Sequence, residues 1–160
     1  MGIELPPSLV ELLSTIGFRW PESDETKLLE LGRAWTGLSG QLDAQVAAAN
    51  GAAAEVWTAG RGELADVFRT SWTRDAAPAQ RLAGGASGAD IVGAGLLTCA
   101  AIVLALKINI IAQATLTVLA IAAAIATGGL AAAGAAALRE ACRRALDWLL
   151  NEAIMKIVNG

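Results

Sequence analysis

Hydrophobic residues recur at steps of three and four between positions 28 and 56, and this spacing predicts one long amphipathic helix. Ser23, Asp24 and Glu25 precede it and supply the cap and the acidic first turn that helix N-termini favour. A helix of this length cannot bury its apolar seam alone, so we expect other helices to cover it. The seam comprises Leu28, Leu31, Trp35, Leu38, Leu42, Val46, Ala49, Ala53 and Val56.

A short helix is predicted ahead of the long one. A proline pair and Ser8 mark its start, and Gly17 marks its end about two turns later. Trp20 is held extended by Pro21, and we expect its ring to pack into the core.

A turn and a returning helix are predicted after the seam. Gly60 and Gly62 interrupt the periodicity soon after Trp57. The helical spacing then resumes and predicts a second helix over residues 64–82, which folds back on the first. Its apolar positions are Leu64, Phe68, Trp72, Ala79 and Leu82. Aromatic residues at helical spacing are typical of a packed core, and the same side chains can also bind a partner.

Residues 83–89 are rich in glycine and alanine, which predicts a linker between this hairpin and the rest of the chain. Ser87 and Asp90 then offer a cap for the next helix. Residues 90–160 are predicted to form an apolar helical pair, whose last helix spans residues 138–158. The glycines at 128, 129 and 134 are expected to break or bend the apolar run.

Residues 91–138 contain one charged side chain, Lys107, and are long and apolar enough for one or two transmembrane helices. Their later part is mostly alanine and glycine, which gain little by transfer into lipid and favour close helix packing. Two interpretations stay open: a helical hairpin buried in a soluble protein, or a membrane-inserting segment. Lys107 would reach solvent from a bundle edge, or, in a functional role, line a pore or pair with an acid.

Composition excludes several classes of function. Apolar residues make up 55% of the chain and aromatic residues only 4%, which suits closely packed helices. Residues 1–90 carry 7 basic against 12 acidic side chains, so they lack the concentrated basic face that nucleic acid requires. The sequence has no histidine and no phosphate-loop, nucleophile-elbow or metalloprotease motif. We therefore predict no enzymatic activity, no cofactor, no metal site and no nucleic-acid partner.

Three stretches together resemble a known family. They are the opening segment IELPPSLVELLSTIGFRWPESDETKLLELGRAW, the turn VWTAGRGELADVFRTSW and the later apolar segment LALKINIIAQATLTVLAIAAAIATGGLAAA. Together they resemble the N-terminal domain of the actinobacterial CpnT-like proteins, which is a relative of the WXG-motif (Esx-type) helical hairpins. The resemblance covers nearly the whole chain.

This resemblance implies an all-α fold of about five helices in a single domain over residues 1–160. Its parts are a WXG-like hairpin with a short N-terminal helix (1–82), the linker (83–89) and the apolar helical pair (90–160). The implied function is that of an N-terminal targeting and assembly domain of a type VII secreted toxin-like protein. The implied partners are small WXG-type helical proteins and the type VII secretion machinery, with a homo-oligomer as a further option.

A membrane function is the alternative that the resemblance leaves open. Channel formation has been attributed to the apolar region of this family. The chain would then be a pore-forming or membrane-anchored protein that inserts residues 91–138, with a membrane as its partner.

The resemblance also assigns motif residues. The turn has the form Trp57-x-x-Gly60, one residue longer than a strict WxG, whereas the literal Trp35-Thr36-Gly37 lies within the long helix. The expected partner-binding residues are Trp57, Gly60, Phe68, Trp72, Trp35, Leu38 and Leu42, and Lys107 is the candidate membrane or pore residue.

The expected location is outside the cell or at its envelope, reached by type VII secretion. No basic region precedes the first apolar residues, so no Sec signal peptide is predicted. The chain has no tyrosine, so it lacks the Tyr-x-x-x-Asp/Glu export signal of the relatives. Either a partner supplies that signal, or Trp72-Thr73-Arg74-Asp75 replaces it.

Overall fold

The computed structural model describes residues 2–126 and 132–159, the second range with side chains from residue 134 onwards. Five α-helices and no strand occur in these ranges, so the predicted all-α class is confirmed. The helices are α1 (Pro7–Thr15), α2 (Glu25–Ala59), α3 (Glu63–Trp72), α4 (Pro78–Ala126) and α5 (Ala132–Asn159).

The chain divides into two compact units. Unit 1 consists of Met1–Leu28 and Thr98–Gly160, and unit 2 consists of Leu29–Leu97. The prediction that residues 1–160 form one domain stays a prediction.

Local signals determine where α1 ends and where α2 begins. The carboxylate of Asp24 accepts hydrogen bonds from the backbone N–H groups of Thr26 (3.0 Å) and Lys27 (3.1 Å), so it caps α2 as predicted. Gly17 follows α1 with a φ of 70°, a conformation that glycine adopts without steric cost. Both predicted boundaries are confirmed.

The predicted helix over residues 64–82 is wrong, because the structure has a break before Pro78. α3 ends at Trp72, and α4 begins at Pro78. Proline is favoured at the first position of a helix, where its missing N–H leaves no acceptor unsatisfied, and it disfavours helical conformation in the residue before it.

The predicted linker at residues 83–89 is also wrong, because α4 continues through it without interruption. Ala79, Ala86, Ala89 and Gly93 recur at helical spacing and are all buried. They form one packed face of small residues. Packing along this face outweighs the cost of glycine in a helix, which is about 1 kcal/mol per residue relative to alanine.

Unit 2 contains a close contact between α2 and α4. A Cβ atom placed on Gly93 would lie 2.6 Å from Thr36 Oγ1 and 3.1 Å from the carbonyl oxygen of Gly32. A Cβ atom on Gly32 would lie 2.9 Å from the side chain of Leu97 and 3.1 Å from the carbonyl oxygen of Gly93. The two backbones therefore approach each other directly, as small residues permit.

The core of unit 1 forms where α1 and the segment after it pack with α4 and α5. Ile110 and Leu146 have no exposed surface. Trp20 packs against this core, as predicted. The buried residues of the core are Leu9, Leu12, Leu13, Ile16, Phe18, Leu106, Ile110, Ala114, Cys142, Leu146 and Ala153.

The end of the apolar run is described only in part. Residues 128 and 129 lie outside the described residues. α5 begins at Ala132, earlier than the predicted 138, and continues through Gly134. The expected break at Gly134 is therefore wrong.

A matched pair of glycine substitutions tests the contact in unit 2. Gly93→Ala should destabilise the protein by about 1–3 kcal/mol, because the new methyl group meets backbone atoms that cannot turn away. Gly95→Ala, two residues away, meets nothing within 4 Å and should stabilise the helix by about 0.5–1 kcal/mol. Urea unfolding followed by circular dichroism measures both. Equal changes of the same sign in the free energy of unfolding of the two variants would contradict the close approach of the helices.

Candidate functional site

An aromatic cluster in unit 2 holds α3 against the last third of α2. The Trp57 and Phe68 ring centroids are 5.9 Å apart, and those of Phe68 and Trp72 are 5.8 Å apart. Trp72 Nε1 donates a hydrogen bond of 2.9 Å to Asn50 Oδ1 on α2. The three predicted aromatic residues thus lie together and are half-buried. No residue of α3 is fully buried. The ring contacts and the Trp72–Asn50 hydrogen bond therefore help to hold α3 in place against α2.

The turn beside this cluster depends on two glycines. Gly60 donates its N–H to the carbonyl oxygen of Val56 at 2.9 Å, and a Cβ atom there would lie 2.7 Å from that oxygen. Gly62 has a φ of 103°, in the left-handed region that favours glycine, and α3 begins directly after it. Gly60 therefore closes the end of α2, which explains its place in the turn motif.

The apolar seam of α2 is covered unevenly. Leu31, Trp35 and Leu38 are 48%, 37% and 41% exposed, whereas Leu42 is half-buried. The neighbouring residues Gly32 and Ser39 are buried instead. Successive residues of an α-helix point about 100° apart, so the buried stripe and the exposed seam are adjacent faces of one helix. The exposed residues at positions 31, 35 and 38 form what we call the open seam.

Lys107 lies in the interior of unit 1, with 3% of its side chain exposed. Its Nζ donates hydrogen bonds of 2.6 Å to Glu25 Oε2 and 2.6 Å to the carbonyl oxygen of Ser23. The same ammonium group lies 5.6 Å from the centroid of the Trp20 ring. The expectation that Lys107 reaches solvent is therefore wrong, and its pairing with an acid is confirmed. Its role in a pore stays a prediction.

Glu25 is held ionised at this site. Burial alone raises the pKa of its carboxyl group. Hydrogen bonds from the Lys107 ammonium, from the backbone N–H of Ile3 and from its own backbone N–H, together with the charge of Lys107, outweigh burial and hold the pKa below its ordinary value. The Ile3 bond is 2.5 Å long and reaches Oε1, so each carboxylate oxygen has its own donor.

α4 exposes much of its apolar surface in unit 1. It is the one helix among the described residues that is long and apolar enough to cross a membrane. Only 28% of its most apolar 18-residue stretch is buried. Its exposed large side chains in unit 1 are Leu104, Ile108, Leu116, Leu119 and Ile125.

Sequence reasoning missed two residues of these clusters. Asn50 lies seven positions before Trp57, on the same face of α2, and that spacing was the available signal. Glu25 gave no comparable signal, because 82 residues separate it from Lys107 and helix capping alone explains an acid at its position.

The comparisons with known proteins give one match. The family model of the WXG100-like domain matches residues 4–147 of this chain. Searches among curated proteins and among solved structures found no match. The matched range begins before α1 and ends within α5, and it contains both the open seam and the aromatic cluster. The chain therefore belongs to the WXG100-like domain family.

Proposed function

We propose that this chain is the N-terminal targeting and assembly domain of a type VII secreted toxin-like protein of the CpnT-like kind. It acts without catalysis, by docking the helices of small WXG-type partners and so entering the type VII secretion machinery. Membership of a family of helical proteins related to type VII secretion supports this proposal. The protein is then secreted or held at the cell envelope.

The open seam is the observation that carries the proposal. Leu31, Trp35 and Leu38 follow one another at steps of four and three, and all remain exposed. This is the spacing with which one helix presents apolar side chains to another. Gly32 and Ser39 are the residues of this part of α2 that are buried in the interior of unit 2. The open seam is therefore not required for the fold of that unit.

The composition of the open seam supports a helical protein as its occupant. Arg33 and Glu30 flank it with one charge of each sign, which does not select a strongly charged ligand. Trp35 at its centre is a residue type that often dominates the binding energy of an interface. Leu42 and Val46 continue the same stripe in a half-buried state, so a partner helix would find an apolar track of several turns.

Substitution of the open seam tests this function. The double variant Trp35→Asp, Leu38→Asp should weaken the binding of a small WXG-type protein from the same organism by up to about 1,000-fold, since two central apolar contacts of about 2 kcal/mol each contribute about 4 kcal/mol. Calorimetric titration measures the dissociation constant. Circular dichroism confirms that the helices persist, because both side chains are exposed in the free chain.

The matched control places the same charges on another exposed apolar surface. Ile108→Asp, Leu116→Asp on α4 should leave partner binding unchanged. Equal binding by the seam variant and the native chain would contradict the proposal.

A second candidate function is membrane insertion of residues 91–138 as a pore or an anchor. The exposed apolar surface of α4 supports it, because the central helix of a soluble protein is mostly buried. In this candidate Lys107 would lie within the inserted segment, where a charged side chain is costly unless it faces water or a counter-charge.

The control variant of the first test becomes the probe for the second. Ile108→Asp, Leu116→Asp should abolish the uptake of the protein by liposomes, because a charge at the centre of a lipid-facing helix costs about 2.5–3.5 kcal/mol. Flotation with liposomes measures the bound fraction. Trp35→Asp, Leu38→Asp should float like the native chain. Absence of native protein from the liposome fraction would remove this candidate and leave the first intact.

A further inference from the structure

The ion pair of Glu25 and Lys107 joins three separate segments of unit 1. Lys107 belongs to α4, and Glu25 is the first residue of α2. The carboxylate of Glu25 also accepts a hydrogen bond from the backbone N–H of Ile3. Lys107 is the only charged residue between positions 91 and 126. One buried pair therefore ties the N-terminal segment and the start of α2 to an otherwise uncharged stretch of helix.

The N-terminal segment fits closely over this pair. A Cβ atom on Gly2 would lie 2.7 Å from Glu25 Oε2 and 3.0 Å from Lys107 Nζ. No larger residue could occupy position 2 without moving the charged groups. Side-chain exposures of 3% for Lys107 and 8% for Glu25 leave little access for water.

We propose that Glu25 and Lys107 form an acid-sensitive latch, in which protonation of the Glu25 carboxylate releases the N-terminal segment and α1 from α4. The proton comes from solvent and adds to one carboxylate oxygen. The Lys107 ammonium group then keeps its charge and loses its counter-charge. Among the described residues, the neutral carboxyl group of Glu25, the carbonyl oxygen of Ser23 and the face of the Trp20 ring remain beside it, and none of them carries a full negative charge.

The physical reason for release is the cost of a buried, unpaired charge. Removal of one partner from a buried ion pair strongly destabilises the structure around the other. Opening of unit 1 relieves this cost because it returns the ammonium group to water. The same movement exposes Leu106, Ile110 and Ala114 of α4, which the N-terminal segment and α1 help to cover.

The direction of the pH dependence follows from the pKa of Glu25. Burial raises this pKa, but the hydrogen bonds from Lys107, from Ile3 and from the backbone N–H of Glu25 itself, with the charge of Lys107, hold it below the ordinary value of 4.5. The open form therefore binds the proton more tightly than the closed form. The latch is fully closed above the ordinary pKa, and it weakens as the pH falls through the lowered value.

The other charged groups of these segments lie at the surface or are partly exposed. Glu22 lies 4.0 Å from Arg19, and both side chains are at least 90% exposed. Asp24 caps α2 and lies 3.9 Å from Lys27. The remaining charged side chains of the N-terminal segment, α1 and α5 in unit 1 are Glu4, Glu11, Arg139, Glu140, Arg143, Arg144, Asp147, Glu152 and Lys156, all exposed or half-exposed. We therefore assign the pH dependence to Glu25.

The latch does not require either proposed function. Its opening would, however, expose a second apolar face of α4 beside the face already in solvent. The larger apolar surface of the open state would strengthen any binding of α4 to a membrane at low pH.

Hydrogen exchange measured by mass spectrometry tests the latch on the whole chain. Between pH 7 and pH 3, after correction for intrinsic exchange rates, the protection of residues 8–18 and 106–114 should fall by clearly more than about twofold, because protonation of Glu25 weakens the closed form. The protection of residues 32–53 in unit 2 should stay within about twofold. An equal loss in both units, or no loss in unit 1, would overturn the proposal.

Three variants separate the ion pair from other effects of acid. Glu25→Gln should give at pH 7 the low protection that the native chain shows at pH 3. The double variant Glu25→Leu, Lys107→Met removes both charges and should keep unit 1 protected at both pH values. Glu22→Gln makes the same chemical change on the exposed pair and should behave like the native chain.

Two results from these variants would overturn the latch. One is a double variant that still opens in acid, and the other is a Glu25→Gln variant that stays as protected as the native chain at pH 7. If Glu25→Gln does not fold, the native chain and the double variant still decide the question.

Discussion

The approach of the α2 and α4 backbones in unit 2 determines which apolar residues of α2 stay in solvent. Gly32 and Gly93 have no room for a side chain between the helices. The contact is therefore made by small residues, with Ala86, Ala89 and Ser39 buried in the same unit. Large apolar residues such as Trp35 and Leu38 then lie on the adjacent face, in solvent. In an ordinary amphipathic helix the largest apolar residues would face the core.

Unit 1 meets a different constraint, because α4 carries more apolar surface than its neighbours cover. A single buried ion pair fastens the N-terminal segment to this helix, and both of its partners are satisfied by hydrogen bonds. Such a pair adds little net stability compared with apolar residues of the same size. Removal of one of its two charges, however, strongly destabilises the structure, because the other charge is left buried and unpaired. This asymmetry suits a contact that holds under one condition and opens under another.

Local signals made much of the fold predictable from the sequence. The long helix α2, its cap at Asp24 and its end before Gly60 followed from periodicity and from residues whose backbone preferences are strong. The aromatic cluster followed from helical spacing. The break before Pro78 had a local signal too, but the apolar positions on either side of it kept the same period.

Other features depended on contacts far apart in sequence. The segment 83–89 has the composition of a linker, yet its alanines are buried in a helix because α4 packs through small residues. The partner of Lys107 is 82 residues away and could not be identified from spacing. Likewise, periodicity located the seam of α2 but could not indicate that Leu31, Trp35 and Leu38 stay exposed, since that depends on which face of α2 packs against α4.

Site-specific photo-crosslinking on α2 in the presence of a small WXG-type partner tests most directly whether the open seam docks that partner. A photoreactive residue replaces Leu38, which is exposed, or Ser39, which is buried, in two otherwise identical proteins. We expect strong crosslinks to the partner from position 38 and few from position 39. Crosslinks of equal strength at both positions, or none from position 38 while the partner is bound, would contradict the claim that the open seam is the docking surface.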